Sequence, residues 1–144
     1  MTAPLFQPLT IRHVTFRNRF MSTSHACGLE EGGMPKERYQ RYHEEKAKGG
    51  IGLTMFGGSS NVAPDSPSVF QQLYVGDDEV IPYLQQFSER VHKHGAAIMC
   101  QITHLGRRGE PYQGHWLPTI GPSAIRETLH RSFLKEMDHY DCLL

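Results

Sequence analysis

Long hydrophobic runs are missing from this sequence. No apolar stretch approaches the ~18 residues that a membrane span requires, so no membrane partner is expected. An excess of either charge is missing too. Fifteen Lys+Arg stand against 15 Asp+Glu in 144 residues, and a net charge of zero argues against a general nucleic-acid binder, which needs a basic face to displace counterions. The amino terminus lacks the basic-then-apolar stretch and small-residue cleavage site of a secretory signal. Cysteine is scarce: Cys27, Cys100 and Cys142 are odd in number and widely spaced, and they form neither a disulfide framework nor a CxxC metal knuckle. That usage suits a reducing cytoplasm, the expected location. There is no internal repeat and no low-complexity tract. Gly (14) and Pro (9) are plentiful by contrast, which predicts many turns around a thin core, and a single domain over residues 1–144 is the expected count.

Short β-prone runs on either side of Arg12-His13, from Leu9 to Phe16, predict a hairpin. Arg19-Phe20-Met21-Ser22-Thr23 reads as a short strand. It runs into the loop Ser24-His25-Ala26-Cys27-Gly28, which carries chemistry-capable side chains. Pro35 suits the first position of a helix, because its missing N–H costs nothing there. Tyr39, Tyr42, His43, Lys46 and Ala47 follow at helical spacing, and Gly49-Gly50 supplies a stop. Glu44 and Lys48 can pair across one turn, which adds about 0.3–0.5 kcal/mol at a solvated surface. Ile51 to Phe56 is a short apolar run of the kind that fills a buried parallel strand, ended by Gly57-Gly58-Ser59-Ser60. A second helix is capped by Asp77 or Asp78 and holds Pro82 in its first turn. Val80, Leu84, Phe87 and Val91 make one apolar stripe along it before Gly95. Ala96 to Ile102 follows as another buried strand.

Strand, helix, strand, helix, strand with short joints is the grammar of a parallel α/β sheet. Two architectures fit, an open doubly wound sheet and a (β/α)8 barrel. The first would be helped by a Gly-rich phosphate turn after the first strand, and Ser22 to Gly28 is not one. The second needs about 250 residues and eight strands, of which three are read here. The chain is therefore a small open sheet or an incomplete barrel. From His104 to Leu144 the residues are rich in Gly, Pro, His and Arg and hold no sustained period, which points to a functional loop or to a piece whose context is missing. His92-Lys93-His94 has the look of a metal pair, but alternate helical residues point about 200° apart and cannot share one ion. A solvated helix end, and no metal, is the expectation.

Several short motifs in one order resemble the Old Yellow Enzyme-like NADH:flavin oxidoreductases. They are Leu5-Phe6-Gln7-Pro8-Leu9, Arg17-Asn18-Arg19-Phe20, Tyr42-His43 through Gly49-Gly50-Ile51-Gly52-Leu53, Gln101-Ile102-Thr103-His104-Leu105-Gly106-Arg107 and Gly121-Pro122-Ser123-Ala124. The run Ser24-His25-Ala26-Cys27-Gly28-Leu29-Glu30-Glu31 and the later Lys135-Glu136-Met137-Asp138 resemble one branch. That branch holds trimethylamine and dimethylamine dehydrogenases, 2,4-dienoyl-CoA reductase and N-demethylases of methylated amino acids. The resemblance covers Leu5 to Asp138. It implies an FMN-binding TIM (β/α)8 barrel whose bottom is closed by an N-terminal hairpin. This chain would supply the N-terminal part, an α/β piece made of the hairpin, strands one to three and the loop after the third, with the barrel truncated there. Tyr140-Asp141-Cys142-Leu143-Leu144 depart from the pattern, which would run on into a helix and a fourth strand. A truncation or altered reading frame near Asp138 is the expectation.

Side chains at the carboxyl ends of barrel strands face the active site. The resemblance carries Thr23, Ser24 and His25 over as flavin contacts, with His25 also a catalytic candidate rather than a solvated loop histidine. In the trimethylamine dehydrogenase pattern the residue after this histidine is a cysteine bonded to FMN. Here it is Ala26, with Cys27 one further on, so a non-covalent FMN is expected. Gly58 and Ser59 are placed against the flavin, since glycine lets a backbone approach a ring or phosphate closely; the alternative is an ordinary strand-ending turn. Gln101 is carried over as the contact to the pyrimidine edge of the flavin, where a buried amide that both donates and accepts would find partners. His104, Arg107 and Arg108 belong to the loop beside the cofactor and substrate mouth, and Arg108, placed to approach an anionic substrate, is the second catalytic candidate. Trp116 and Tyr112 could pack on that mouth.

The activity implied is that of an FMN-dependent oxidoreductase. Oxidative demethylation of a small N-methylated amine or amino acid comes first, and reduction of an activated alkene of the enoate or dienoyl-CoA type second. NAD(P)H is the candidate electron donor, and a 4Fe-4S cluster belongs only with a missing C-terminal part. The implied partners are a small-molecule substrate and, in full-length form, a homo-oligomer or an electron-transfer partner. The groups that hold substrate and flavin phosphate in this family lie beyond strand three. This chain alone is therefore expected to be an inactive fragment that binds FMN weakly or not at all.

Overall fold

Leu9–Ile11 (β1) pairs antiparallel with Val14–Phe16 (β2), Leu9 opposite Phe16 and Ile11 opposite Val14, which is the expected hairpin. The computed structural model describes residues 3–66, 71–108, 118–128 and 133–141. After the hairpin the chain enters a parallel sheet of order β3–β4–β5, made of Met21–Ser22 (β3), Leu53–Asn61 (β4) and Ala97–Thr103 (β5). Two helices make the crossovers, Glu37–Lys48 (α1) and Ile81–His92 (α2). The order read from the sequence is the order observed.

Boundaries differ in instructive places. The first strand shrinks to two residues, β3, because Arg19 and Phe20 are engaged by the segment before the hairpin: the Arg19 N–H donates to the Leu5 carbonyl and the Phe6 and Phe20 rings pack 5.2 Å apart. Pro35 is not in the helix. It lies before the N-cap Lys36, which caps nothing with its side chain, and the Gln40 amide donates back to the Pro35 carbonyl at 2.9 Å instead. Gly57-Gly58-Ser59-Ser60 does not end the second strand. β4 runs through it to Asn61 by slipping register against β5 between Phe56 and Ser60, so the glycines mark an irregularity inside the strand. Before α2, Asp77 accepts from the Glu79 N–H at 2.9 Å and caps the 3-10 turn Asp78–Val80, with Pro82 following in the first turn of the helix.

Alternation along the strands sends Thr54, Phe56, Ile98 and Cys100 to the helical side. There Tyr39, Ala47, Phe56, Leu73, Phe87, Val91 and Ala96 form the core, with Leu84, Ile98 and Cys100 packed against it. Phe87 is its centre, fully buried, with the rings of Phe56, His43 and Tyr39 at 4.9, 5.4 and 5.8 Å. The predicted α2 stripe is therefore the buried face. His43 is enclosed with it, its Nδ1 2.7 Å from the Thr54 hydroxyl. On the other face Leu53 is buried, but the cover among the described residues is incomplete. Met21 and Met99 point there and are 51% and 46% exposed, while β5 is an edge strand of the three.

Arg17 joins the ends of both helices to the sheet. Its guanidinium donates to the Ala47 carbonyl (2.6 Å), the His94 carbonyl (2.6 Å) and, from two nitrogens, the Ile51 carbonyl (3.0 and 2.9 Å). Carbonyls at helix C-termini are left without intrahelical donors and carry partial negative charge, so a cation there satisfies both needs. Between the helices, Glu44 lies 3.3 Å from Arg90 and 3.1 Å from His94 Nε2, whereas the expected one-turn partner Lys48 is 3.8 Å away. The His94 hydrogen bond, before the other contacts, holds the Glu44 carboxyl below the usual range. His94 is thus half-buried and engaged, a correction to its reading as a solvated helix end, while His92 is exposed.

The stretch without period holds a second small sheet, in which Ile120–Gly121 (β6) pairs parallel with Lys135–Glu136 (β7). Trp116, Tyr112 and Cys142 lie outside the described residues. Among the described residues no helix is long and apolar enough to cross a membrane.

Candidate functional site

Parallel strands end together, so residues remote in sequence meet along their carboxyl edge. At the end of β3, Ser22 Oγ accepts from Lys46 Nζ at 2.9 Å, and the exposed Thr23 follows. Ser24 donates its hydroxyl to Gln101 Oε1 on β5, across the full width of the sheet. Gln101 is exposed rather than buried, and its Nε2 donors have no protein partner among the described residues. His25, also exposed, has Nε2 2.8 Å from the Tyr42 hydroxyl, the rings edge to face with centroids 5.6 Å apart.

The glycines of β4 make this convergence possible. Gly58 has φ of 53°, and a Cβ there would run into the His25 carbonyl carbon and the Ala26 nitrogen. The close approach it permits is that of the chain's own 25–26 peptide, which crosses the strand at this point; toward a ligand Gly58 can offer only backbone groups. Gly57, with φ of 109°, leaves room for the Gln101 carbonyl, which would lie 2.6 Å from a Cβ. Its N–H donates to the Tyr39 hydroxyl at 3.0 Å, and burial pushes that phenol well above its ordinary range. Ser59 follows within the same strand.

The loops after β4 and β5 are tied together. The buried Ser66 hydroxyl accepts from the Leu105 N–H at 2.7 Å and donates to Asn61 Oδ1 at 3.2 Å, and His104 Nε2 is 3.2 Å from Asp65. His104 is thus engaged with its neighbouring loop. Arg107 and Arg108 sit exposed on the 3-10 turn Gly106–Arg108. Arg107 lines a cavity of ≈ 370 Å³ with Leu105, Pro122 and Leu134; Arg108 is not in that lining. The structure therefore brings Ser24 and Gln101 into contact and lays the His25 peptide on Gly58, while no contact among the described residues joins Arg108 to them. Burial first of all raises the thiol pKa of Cys27, which packs on the core, and of Cys100, which lies 3.7 Å from the Ser60 hydroxyl. Both stay protonated thiols at neutral pH. Among the described residues no three of His, Cys, Asp and Glu converge to hold a metal ion.

Tyr42, Asp65 and Ser66 escaped the sequence reading as parts of this edge. Helical spacing put Tyr42 and Lys46 on one face of α1, and the ammonium does lie 4.3 Å over the ring. Spacing alone could not say that the loop after β3 would fold onto that face. A hydroxyl holding the oxygen of a carboxamide whose N–H donors have no partner among the described residues, beside a strand thinned by glycine, suits the acceptor-bearing edge of a planar heterocycle.

The sequence profile of the NADH:flavin oxidoreductase / NADH oxidase family matches residues 4–143. The chain is 63% identical over 129 residues to a multifunctional alkene reductase/demethylase of Caballeronia cordobensis, covering 90% of this chain and 19% of that protein. It is 46% identical over 138 residues to a probable N-methylproline demethylase of Rhizobium meliloti (strain 1021), covering 96% and 20%. It is 47% identical over 136 residues to an N,N-dimethylglycine/sarcosine dehydrogenase of Chromohalobacter salexigens, covering 93% and 20%. The chain thus spans only 19–20% of the length of these curated relatives. Among solved structures, a 2-naphthoyl-CoA reductase superposes with a TM-score of 0.86 at 21% identity, covering 96% of this chain and 23% of that one. The Old Yellow Enzyme of Pichia sp. AKU4542 gives 0.84 at 20% identity, covering 96% and 38%. The fold is that of the N-terminal part of these TIM barrels, the α/β piece expected from the sequence.

Proposed function

Because the chain belongs to the NADH:flavin oxidoreductase / NADH oxidase family, we propose that its strand ends hold one edge of an FMN in an oxidoreductase that demethylates a small N-methylated amine or amino acid. The observation that carries this reading is the Ser24–Gln101 pair. Ser24 occupies Gln101 Oε1 and so turns the amide into a donor, whose free N–H groups suit a carbonyl on the pyrimidine edge of a flavin. Thr23 and His25 flank the pair, and the backbone of Gly58 and Ser59 lies on the strand between β3 and β5. FMN, when bound, supplies the hydride acceptor; the protein supplies orientation and polarity. Non-covalent attachment follows from Ala26 after His25, and from a Cys27 thiol that is packed on the core and kept protonated. The exposed Arg108 guanidinium suits the carboxylate of an amino-acid substrate, which it can grip with two parallel hydrogen bonds.

Demethylation is favoured because three relatives at 63%, 46% and 47% identity are described as a demethylase or a dimethylglycine/sarcosine dehydrogenase. A second reading, NAD(P)H-driven alkene reduction, has support in the description of the first of these as an alkene reductase as well. A chimera separates the two. Residues 5–138 replace the matching segment of the Caballeronia protein, and the flavin absorption of the purified product is followed under anaerobic conditions. A yellow protein bleached by N-methylproline or sarcosine is the expected result. Bleaching by NAD(P)H alone, with turnover of an activated alkene, would favour the second reading, and a colourless but folded chimera would overturn both.

A further inference from the structure

We propose that Tyr42 is a positioning residue that fixes the tautomer of His25, donating its phenol O–H to Nε2 and leaving the imidazole proton on Nδ1. The 2.8 Å contact between the two groups admits either direction of donation. A neutral imidazole carries one N–H and one bare nitrogen, so whichever nitrogen accepts a hydrogen bond dictates where the proton sits. A phenol is a better donor than acceptor, since its lone pair is drawn into the ring. Here the Lys46 ammonium stands 4.3 Å over that ring and draws density further from the oxygen. The geometry thus favours Tyr42 as donor.

The hydroxyl is also held in place from behind. Lys46 is anchored to Ser22 Oγ at 2.9 Å, and the Tyr42 ring meets the His43 ring edge to face at 5.2 Å. His43 is itself locked in the core by Thr54. Its position therefore comes from α1 and the core rather than from the exposed loop, and His25 is the member that must conform. If His25 belongs to the site, which rests on the function proposed above, its Nδ1 is a hydrogen-bond donor there and not a base. The tautomer itself does not depend on that function.

Nitrogen NMR of the 144-residue chain with isotope-labelled histidine reads the tautomer directly, at a pH above the imidazole range, with His25→Gln assigning the signals. The expected wild-type spectrum has a protonated Nδ1 and a bare Nε2 at His25. In Tyr42→Phe the ring, the Lys46 contact and the His43 contact are kept, and the proton moves to Nε2, the form preferred by free histidine in water. Unchanged His43 signals in that variant report that the core is intact. A wild-type His25 protonated on Nε2, or a Tyr42→Phe spectrum like the wild type, overturns the proposal. A wild type with the Nδ1 proton together with a colourless chimera would leave this inference standing and sink only the function.

Discussion

Acidification should destabilise this protein through one buried imidazole. His43 is 1% exposed, its Nδ1 is bound to Thr54, and its Nε2 has no hydrogen-bond partner among the described residues. Burial, with smaller repulsions from Lys46 and His25, pushes its pKa from 6.5 down to about 3. In the unfolded chain the ring regains its ordinary value, so between those two values the unfolded state binds the extra proton. Stability is therefore complete above about pH 6.5 and is lost progressively as the pH falls toward about 3. The full effect is about 4–5 kcal/mol, of which about 2 kcal/mol has gone by about pH 5. The assay is urea unfolding at about pH 7 and about pH 5, for the wild type and for His43→Asn, whose amide reaches toward Thr54 but cannot titrate. The variant starts less stable because it leaves a gap in the ring cluster. Across that pH step the wild type should lose about 2 kcal/mol more than the variant does. Equal losses would refute the reasoning, since the remaining histidines and the carboxylates are common to both.

Three other outcomes follow from the packing. Arg17→Met removes charged hydrogen bonds to three carbonyls and should cost about 3 kcal/mol, read from the urea midpoint, with Arg17→Lys recovering only part because an ammonium cannot fork. Gly58→Ala combines an unfavourable φ of 53° with a collision against the 25–26 peptide. It should cost about 2 kcal/mol or more and expose residues 24–26 to protease, whereas a neutral effect would mean that the loop does not cross the strand there. Cys27 and Cys100, whose thiol pKa values are raised by burial, should react with a thiol-labelling reagent more slowly than free cysteine at mildly alkaline pH, and reach the free-cysteine rate once urea unfolds the chain.

Local chemistry made most of the scaffold legible. The Val80, Leu84, Phe87 and Val91 stripe needed only the helical period, and the hairpin needed only two β-prone runs around Arg12-His13. What failed were inferences in which a residue type has two meanings. Gly57-Gly58 reads as a strand end, yet here it lets a strand continue while another segment crosses it. Pro35 is tolerated at the start of a helix, and equally in the turn before one. Long-range polar partners left no trace in the sequence. Arg17 stood inside a motif with no visible task until the ends of α1 and α2 converged on it, and His94 had no partner until Glu44 came across from the other helix. The candidate site divides the same way. Family resemblance singled out Ser24, His25 and Gln101, while the contacts Ser24–Gln101 and His25–Tyr42 became visible only when the strands were laid side by side.

The most direct test is a flavin titration of the chimera with and without Gln101→Leu, a substitution that keeps the side-chain bulk and removes the amide. The protein with Gln101 should bind FMN about tenfold more tightly, the worth of about one hydrogen bond to a buried acceptor. Equal affinity for FMN in the two proteins, both folded, would contradict a flavin-holding role for this strand end.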